Sequence, residues 1–446
     1  MAKRGITRRK FIREAGTAGA AVAFTIVPRH VLGHGYRAPS DTLNIACIGV
    51  GGRGREDVKS VASENIYALC DVDQVSAADS YSAHPKEKRY TDYRELLEKE
   101  AKHIDAVVVA TPDHTHAAVA RLAMKAGKPV YCEKPLARTL EEVRGLADLA
   151  KTTKVVTQMG NQGHAKEGTR QIREWVEAGA IGTVREVHLW TNRPIWPQGL
   201  DRPLEEFYTP ATLAWDLWLG PAATRPYNPA YAPFKWRGWW DFGTGALGDM
   251  ACHLMDAAFW ALDLGVPTRI EPESTQLYAE TAPDSSRITF SFPARGTHPE
   301  VKVVWRDGAL YPPRPPEVRD DVKWPPDTSG QLWIGTDGKL VAGTYGDEPR
   351  LLDDAKQAEI TAHPVAVKYP RSPGAHEEWI AACKGKGHAN AGFAEYAGPL
   401  TELVLLGNLA VRTGKTLELN RATGQVTNVK VPDDYIRPTY RSGWGG

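Results

Sequence analysis

The chain has 446 residues, of which 42% are hydrophobic and 24% are charged. This composition excludes a disordered chain and a small disulfide-stabilised scaffold, and the length predicts two or three domains with large buried cores. The 55 basic and 54 acidic residues leave a net charge of +1, which gives no broad positive field for nucleic acid or anionic lipid. We therefore expect no nucleic-acid partner.

The first 35 residues have the layout of an export signal. Thr7-Arg8-Arg9-Lys10-Phe11-Ile12 places two arginines ahead of an apolar, small-residue stretch from Ala15 to Val27, a pattern typical of twin-arginine signals. A basic amphipathic surface helix is the alternative. The apolar run is too short for a stable bilayer span. We expect a periplasmic or otherwise exported protein that uses the twin-arginine machinery and has no stable membrane span beyond the signal.

Residues 42–160 alternate between apolar runs and helix-compatible stretches, which predicts a Rossmann dinucleotide-binding domain. A strand-like run, 44–49, leads into a G-x-G-x-x-G motif, and a second run ends at an acid about twenty residues later. Glycine lets backbone N–H groups approach a pyrophosphate at a helix N-terminus. A glycine turn in an unrelated α/β domain is the alternative. The candidate cofactor-binding residues here are Gly49, Gly51, Gly52, Arg53, Gly54 and Asp71.

The acid at Asp71 indicates which dinucleotide binds. A carboxylate at this position accepts hydrogen bonds from the ribose hydroxyls and repels a 2′-phosphate, which favours NAD over NADP. Arg53 could still pair with such a phosphate, so NADP remains the second choice.

Polar clusters follow two further strand-like runs, at the carboxyl ends where open parallel sheets bind ligands. Thr111-Pro112-Asp113-His114-Thr115-His116 follows the run 105–110, and Glu133-Lys134-Pro135 follows the run 128–132. His114 and His116 could be metal ligands, but an isolated H-x-H is more typical of a helix-entry loop. We predict no metal site.

Asp249 and His253 are the strongest candidates for proton chemistry. Residues four apart lie on one helix face, so both would point into one cleft, and histidine exchanges protons near neutral pH. A zinc site and a purely structural histidine are the alternatives. Aromatic faces and arginines suit a sugar, so we predict that Arg237, Trp239 and Trp240 contact the substrate.

Together, Gly49-x-Gly51-Gly52-x-Gly54, Thr111-Pro112-Asp113-x-x-His116, Glu133-Lys134-Pro135 and Asp249-x-x-x-His253 resemble the Gfo/Idh/MocA oxidoreductase family over residues 42–420. The resemblance implies an α/β protein: an N-terminal Rossmann domain and a C-terminal α/β domain with a large, mostly antiparallel open sheet. It implies carbohydrate-like substrates, a nicotinamide beside Lys134, and a homo-oligomer. It also implies that Thr111, Pro112, His116, Glu133 and Gln162 face the cofactor and that His164 reaches the substrate.

The remaining boundaries follow from strand and helix patterns. We predict a substrate-binding domain over residues 161–425, whose sheet begins at 184–192, and a C-terminal tail over 426–446. Strands are expected at 287–292 and 301–305, a proline-stiffened excursion at 311–327, a hairpin turn at 335–340 and a helix at 394–413.

These residues favour the hypothesis that the protein catalyses reversible hydride transfer between a sugar or polyol carbon and NAD. His253 would take the hydroxyl proton, Lys134 would polarise the oxygen and Asp249 would orient the sugar. An exported protein has no external pool of free nicotinamide, so the cofactor must be tightly held and the hydride returned. A redox-neutral glycoside hydrolase or lyase, acting through transient oxidation at C3, is therefore the first alternative. A non-catalytic sugar or NAD binder is the second.

Overall fold

The computed structural model describes residues 41–444, so the predicted export segment lies outside the described residues. Two β-sheets organise this part of the chain. The first contains β1 (Asn44–Ile48), β2 (Asn65–Cys70), β3 (Lys88–Tyr90), β4 (Ala106–Val109), β5 (Val130–Glu133) and β6 (Thr157–Gly160). The second contains β7 (Val184–Trp190), β8 (Arg269–Ser274), β9 (Ser286–Phe292), β10 (Val301–Arg306), β11 (Gly330–Gly335), β12 (Lys339–Gly343), β13 (Arg350–Leu351), β14 (Leu417–Asn420) and β15 (Gln425–Val426).

The helices connect and cover the two sheets. Those of the first sheet are α1 (Arg53–Ser60), α2 (Ala78–Ala83), α3 (Tyr93–Glu100), α4 (Asp113–Lys125) and α5 (Leu140–Thr153). Those that follow are α6 (Glu167–Glu177), α7 (Trp215–Leu219), α8 (Gly245–Leu254), α9 (Asp256–Ala261), α10 (Asp354–Ala362), α11 (Ala375–Cys383), α12 (Gly398–Thr413) and α13 (Asp433–Ile436). Within residues 41–444, no helix combines the length and the apolar composition that crossing a bilayer requires.

The first sheet has the strand order β3-β2-β1-β4-β5-β6, with every neighbouring pair parallel. This is the doubly wound dinucleotide-binding topology. The central strands β1, β4 and β5 are almost wholly buried because helices cover both faces of the sheet. The predicted Rossmann domain is confirmed. The edge strand β3 is an addition, because its three residues, Lys-Arg-Tyr, carry no apolar run.

The second sheet has nine strands in the order β13-β12-β11-β7-β10-β9-β8-β14-β15. Only the β7–β10 pair is parallel among its neighbours, which confirms the predicted mostly antiparallel sheet. The helix α12 packs closely on this sheet: a methyl group at Gly407 would lie 2.7 Å from the Phe290 ring. The proline-rich stretch 311–327 forms neither helix nor strand.

The chain returns to the first sheet after completing most of the second. Trp379 on α11 is fully buried and contacts the Tyr131 ring edge-on, with ring centroids 5.8 Å apart. The backbone N–H of Met159 on β6 donates to the carbonyl of Ala391. The predicted domain boundary between residues 160 and 161 lies between the last strand of the first sheet and the first strand of the second. However, α11 and the segment near Ala391, which follow this boundary in the chain, pack against the first sheet.

Candidate active site

A cleft of about 620 Å³ lies at the carboxyl ends of the first sheet, where the chain segments of the second sheet meet it. Such edges of parallel sheets are the usual ligand sites of this topology. One wall is formed by the glycine loop and the ends of β2, β4 and β5, and the other by the short helical turn 235–238, by α8 and by Tyr345.

The glycine loop connects β1 to α1 in a shape that only glycine allows. Gly49 has a φ of +77°, and a methyl group there would lie 2.7 Å from the Ala110 backbone. A methyl group at Gly54 would lie 1.9 Å from the Gly49 carbonyl oxygen, so α1 packs directly against the strand. The space beside Gly52 is open, with no atom of the described residues within 4 Å of a Cβ placed there.

Asp71 lines the cleft at the end of β2 and also shapes the glycine loop. One carboxylate oxygen accepts from the backbone N–H groups of Val50 (2.8 Å) and Gly51 (3.1 Å), and the other accepts from that of Asp73 (2.9 Å). Burial raises the pKa of Asp71, and these backbone donors oppose the rise. Since each carboxylate oxygen has two lone pairs, the oxygen that accepts only from Asp73 remains able to accept from a ribose hydroxyl.

Arg53 points away from Asp71, across the sheet towards β5. Its Nε donates to Glu133 (3.0 Å) and its Nη2 contacts Asp57 (2.7 Å). This direction leads away from the end of β2, where Asp71 lies, because β2 and β5 are on opposite sides of β1 in the sheet. Arg53 instead lies between two acids whose pKa values burial raises to about 7.

The polar residues that follow β4 and β5 are tied to one another. The two ring nitrogens of His116 lie 2.7 Å from the Thr111 carbonyl and 2.8 Å from the Pro135 carbonyl. His116 thus holds the ends of two strands together, and burial lowers its pKa. Glu133 accepts from the Gln162 amide at 2.9 Å, so both residues keep fixed positions in the cleft wall.

Lys134 meets Asp249 inside the cleft. Its Nζ donates to the Asp249 carbonyl (2.6 Å) and carboxylate (3.0 Å), and the Nε of Arg237 lies 3.5 Å from the same carboxylate oxygen. Burial alone would raise the pKa of Asp249, but Lys134 and Arg237 lower it below its ordinary value. Burial alone would likewise lower the pKa of Lys134, but Asp249 raises it. Lys134 therefore stays a cation at neutral pH.

His253 lies one helical turn beyond Asp249 and faces the same cleft. Its Nδ1 lies 3.0 Å from the Asn161 side-chain oxygen, and the ring meets Tyr345 edge-on with centroids 4.8 Å apart. Because an amide oxygen only accepts, Nδ1 carries the proton and Nε2 is the basic nitrogen. Burial lowers the pKa of His253 well below its ordinary value, and Lys134 adds to this effect, so the ring is neutral.

Three predicted substrate contacts lie outside the cleft. His164 contacts Asp256 at 3.2 Å, and its ring lies against that of Tyr396 at a tilt, with centroids 4.1 Å apart. Trp239 is 1% exposed and donates to the Ala230 carbonyl, and Trp240 lies under Arg412. Both tryptophans follow the 3₁₀ turn 235–238 rather than lying within it.

The structure adds residues that sequence reasoning did not assign. The 3₁₀ turn presents Trp236 beside Arg237, and the loop after β12 brings in Tyr345. Arg193 and Trp218 complete this end of the cleft. The tryptophan-rich composition of residues 190–260 was the signal for Trp236 and Trp218, whereas Tyr345 has no local signal.

Asp113 is the other unassigned group of the cleft wall. It is the first residue of α4, and it accepts from the Thr244 hydroxyl at 2.8 Å. Burial raises its pKa to about 7, against the opposing effects of Thr244, Lys134 and Arg237. The cleft therefore contains one carboxyl whose pKa is lowered, Asp249, and two whose pKa burial raises to about 7, Asp113 and Glu133.

The residues present fit a dinucleotide. The cleft volume lies within the range of cofactor sites, the glycine loop leaves open space above the N-terminus of α1, and the buried Thr111 hydroxyl has no hydrogen-bond partner among the described residues. Residues 41–444 contain no cluster of three or more histidine, cysteine, aspartate or glutamate side chains that could hold a metal ion. His114 contacts the carbonyls of Phe242 and Trp218.

Fold and site together define an oxidoreductase with an NAD-binding Rossmann domain. The model of the Gfo/Idh/MocA NAD-binding Rossmann domain matches residues 43–161, and that of the family's C-terminal α/β domain matches residues 169–298. The two matches together span more than half of the chain. The chain belongs to the Gfo/Idh/MocA oxidoreductase family.

Curated relatives match part of the chain. A levoglucosan dehydrogenase of Pseudarthrobacter phenanthrenivorans is 26% identical over 227 residues, covering 48% of this chain and 50% of that protein. An inositol 2-dehydrogenase of Burkholderia multivorans is 32% identical over 154 residues, covering 33% of this chain and 45% of that protein. The chain thus matches half or less of the length of these relatives.

Solved structures share the fold over most of the chain. A levoglucosan dehydrogenase in complex with NADH and L-sorbose has a TM-score of 0.58 at 18% identity, covering 85% of this chain and 99% of the other. The WlbA dehydrogenase of Bordetella pertussis, in complex with NADH and UDP-GlcNAcA, has a TM-score of 0.59 at 17% identity, covering 85% and 99%.

The raised pKa of Asp113 predicts a pH-dependent effect of removing its charge. With a pKa of about 7 in the folded chain and 3.8 as its ordinary value, Asp113 binds its proton more tightly in the folded state. Its contribution to stability is therefore present below the ordinary pKa and lost as the pH rises through 7. The urea midpoint of Asp113→Asn, relative to wild type, should increase between about pH 5 and about pH 8. Asp148→Asn, at an exposed helix position, is the control, and an equal rise there would contradict the prediction.

The Asn161–His253 contact predicts the state of the imidazole. In histidine-labelled protein, NMR should show His253 neutral with the proton on Nδ1. Asn161→Asp places a negative charge on the ring and should raise the pKa of His253 by about 1 to 3, whereas Asn161→Leu should remove the tautomer preference. The exposed Asn65→Asp variant should leave the His253 signal unchanged. A proton on Nε2 in the wild-type protein would contradict this assignment.

Proposed function

We propose that this protein is an NAD-dependent oxidoreductase that acts on a hydroxyl-bearing carbon of a sugar or polyol. The observation that supports it most is the convergence of Lys134, Asp249 and His253 in a cleft that also contains the glycine loop. The named relatives, a levoglucosan dehydrogenase and an inositol 2-dehydrogenase, agree with this class of substrate. When bound, NAD supplies the hydride acceptor or donor.

The residues of the chain divide the proton chemistry between them. His253 is neutral and accepts the hydroxyl proton at Nε2, while Asn161 keeps Nδ1 protonated. Lys134 remains charged and donates to the substrate oxygen, so it stabilises the negative charge that develops there. Asp249 keeps the ammonium in place through two contacts and, with Arg237, presents hydrogen-bonding groups to neighbouring hydroxyls.

The substrate end of the cleft suits a carbohydrate. Trp236 offers an apolar face next to the Arg237 guanidinium, whose carbon Cζ lies 4.4 Å from that ring's centroid. Sugar C–H faces stack on aromatic rings while the hydroxyls bind polar groups. We infer that Trp236, which lines the cleft, makes the aromatic substrate contact that was predicted for Trp239 and Trp240.

The test is a variant set assayed with purified full-length protein. Wild-type protein should carry or bind NAD and should form NADH with at least one member of a panel of sugars and polyols that includes levoglucosan and inositol. Lys134→Met and His253→Ala should each lower kcat about 100-fold or more, while calorimetry shows NAD still bound. Lys125→Met, at an exposed position on α4, should leave kcat unchanged. A binder without catalytic function would give no turnover, with sugar affinity unaffected by either active-site variant.

A redox-neutral glycoside hydrolase or lyase is the second candidate, and Asp113 favours it. After oxidation at C3, a base removes the C2 proton and the C1 substituent leaves; water then adds and the hydride returns to C3. This sequence requires a second proton-transfer group besides His253, and Asp113 faces the same cleft with a pKa of about 7. Release of phenol from an aryl glycoside without net NADH formation would establish this candidate and displace simple dehydrogenation.

We also propose that the protein is exported by the twin-arginine route, on the support of Arg8, Arg9 and the apolar stretch after them. Replacing both arginines by lysine should confine the protein to the cytoplasmic fraction, because the arginine pair is what identifies this class of signal. Arg13→Lys, a like change outside the pair, should leave the fractionation unchanged. Equal distribution of the double variant and wild type would refute the route.

A further inference from the structure

A second, much smaller cavity lies behind the N-terminus of α8, on the other side of Thr244 from the cleft. It measures about 20 Å³, enough for one ligand of water size, which needs roughly 10–15 Å³. Its polar lining comes from four separated segments. The polar and aromatic lining residues are Arg138, Thr139, Thr244, Asn408, Arg412 and Tyr435, with Trp240 beside them.

Two arginines face this cavity, and among residues 41–444 neither has a carboxylate within salt-bridge distance. Arg138 donates to the Trp240 carbonyl at 2.7 Å, and Arg412 stacks on the Tyr435 ring with its Cζ 3.7 Å from the centroid. The Nε atoms of both are buried and have no hydrogen-bond partner among residues 41–444. A buried charge normally requires a counter-charge, and here two like charges share one cavity.

The neighbouring acids make their direct contacts with other groups. Glu141 pairs with Arg437, Glu402 with Arg144 and Asp241 with Arg225, and Glu142 accepts from Thr139 and from the Tyr440 hydroxyl. Against the effect of burial, the charges of Asp434 and Asp241 raise the pKa of Arg412 from a distance. Neither arginine of the cavity therefore has a carboxylate in direct contact among residues 41–444.

The N-terminus of α8 adds to this positive potential. Thr244 is its N-cap, and its first turn contains no acidic residue, whereas the N-terminus of α5 is already capped by Thr139 and Glu142. The N-terminus of a helix carries partial positive charge and unpaired backbone N–H groups, which favour an anion. Burial lowers the pKa of Arg412 to about 10, and the charge of Arg138 contributes to the decrease.

We propose that this cavity binds a small monovalent anion of the size of chloride. A water molecule would satisfy hydrogen-bond donors but would leave both guanidinium groups without a counter-charge in direct contact. The anion would fix the segment that precedes α8, because the Thr244 hydroxyl donates to Asp113 and the Asn408 amide donates to the Thr244 carbonyl, both at 2.8 Å. The proposal does not depend on the function proposed above.

The test compares halide with a bulky anion at equal ionic strength. The melting temperature of the full-length protein should be about 2 °C or more higher in sodium chloride than in sodium gluconate, because binding to the folded state alone stabilises it. Arg412→Gln and Arg138→Gln should each abolish the difference. Arg437→Gln, a nearby exposed arginine paired with Glu141, should retain it.

A crystallographic measurement keeps the proposal falsifiable if a cavity variant fails to fold. Crystals of wild-type protein soaked in sodium bromide should show an anomalous peak between Arg138 and Arg412. Equal melting temperatures of wild type in the two salts, or electron density for water at this position with no bromide signal, would overturn the proposal.

Discussion

The Lys134–Asp249 ion pair is the constraint on which the site depends, because it joins the end of β5 in the first sheet to α8 beside the second. Both partners are largely buried, with side chains 15% and 16% exposed. Removing one partner of a buried pair leaves an uncompensated charge and costs about 3–5 kcal/mol. The two-point contact of Nζ with the carbonyl and the carboxylate of Asp249 fixes the ammonium to within hydrogen-bonding distance. The cleft therefore takes its shape only when both parts of the chain have folded around this pair.

The pKa values of the carboxyl groups around this pair differ because their neighbours differ. Burial by itself raises the pKa of each of these carboxyl groups. Asp249 has two cations beside it and its pKa falls, whereas Asp113 has a hydroxyl donor and its pKa rises to about 7. Asp57 and Glu133 share one arginine, and the pKa of each rises to about 7. Environments that separate the pKa values of neighbouring acids are the usual basis for separate acid and base roles.

Periodicity and spacing were sufficient to predict the Rossmann sheet and the residues of the glycine loop, whereas the mostly antiparallel second sheet was implied by the family resemblance. Spacing also placed Asp249 and His253 on one helix face, because residues four positions apart in an α-helix lie on the same side of it. It failed where the direction of a side chain depends on tertiary packing. His164 turns towards Asp256, and Trp239 turns into an aromatic cluster with Tyr231.

Arg53 and Tyr345 show the other limits of the sequence. The direction of Arg53 is set by Asp57 and Glu133, and Glu133 is 80 residues away along the chain. Tyr345 reaches the His253 ring from the loop after β12, a contact that no local pattern encodes. Edge strand β3 was missed for a different reason, since only one of its three residues is even partly buried.

The charges that line the cleft bear on the class of substrate proposed for it. Arg53, Lys134, Arg193 and Arg237 face five acids: Asp71, Asp73, Asp113, Glu133 and Asp249. Most of these cations already have carboxylate partners, so few unpaired positive charges are available to bind a sugar acid or a sugar phosphate. Hydroxyl groups, by contrast, both donate and accept, and they can bind between Asp249 and Arg237 without displacing a charge. The balance that gives the whole chain a net charge of +1 thus recurs in the cleft, and within the proposed function it favours an uncharged polyhydroxyl substrate.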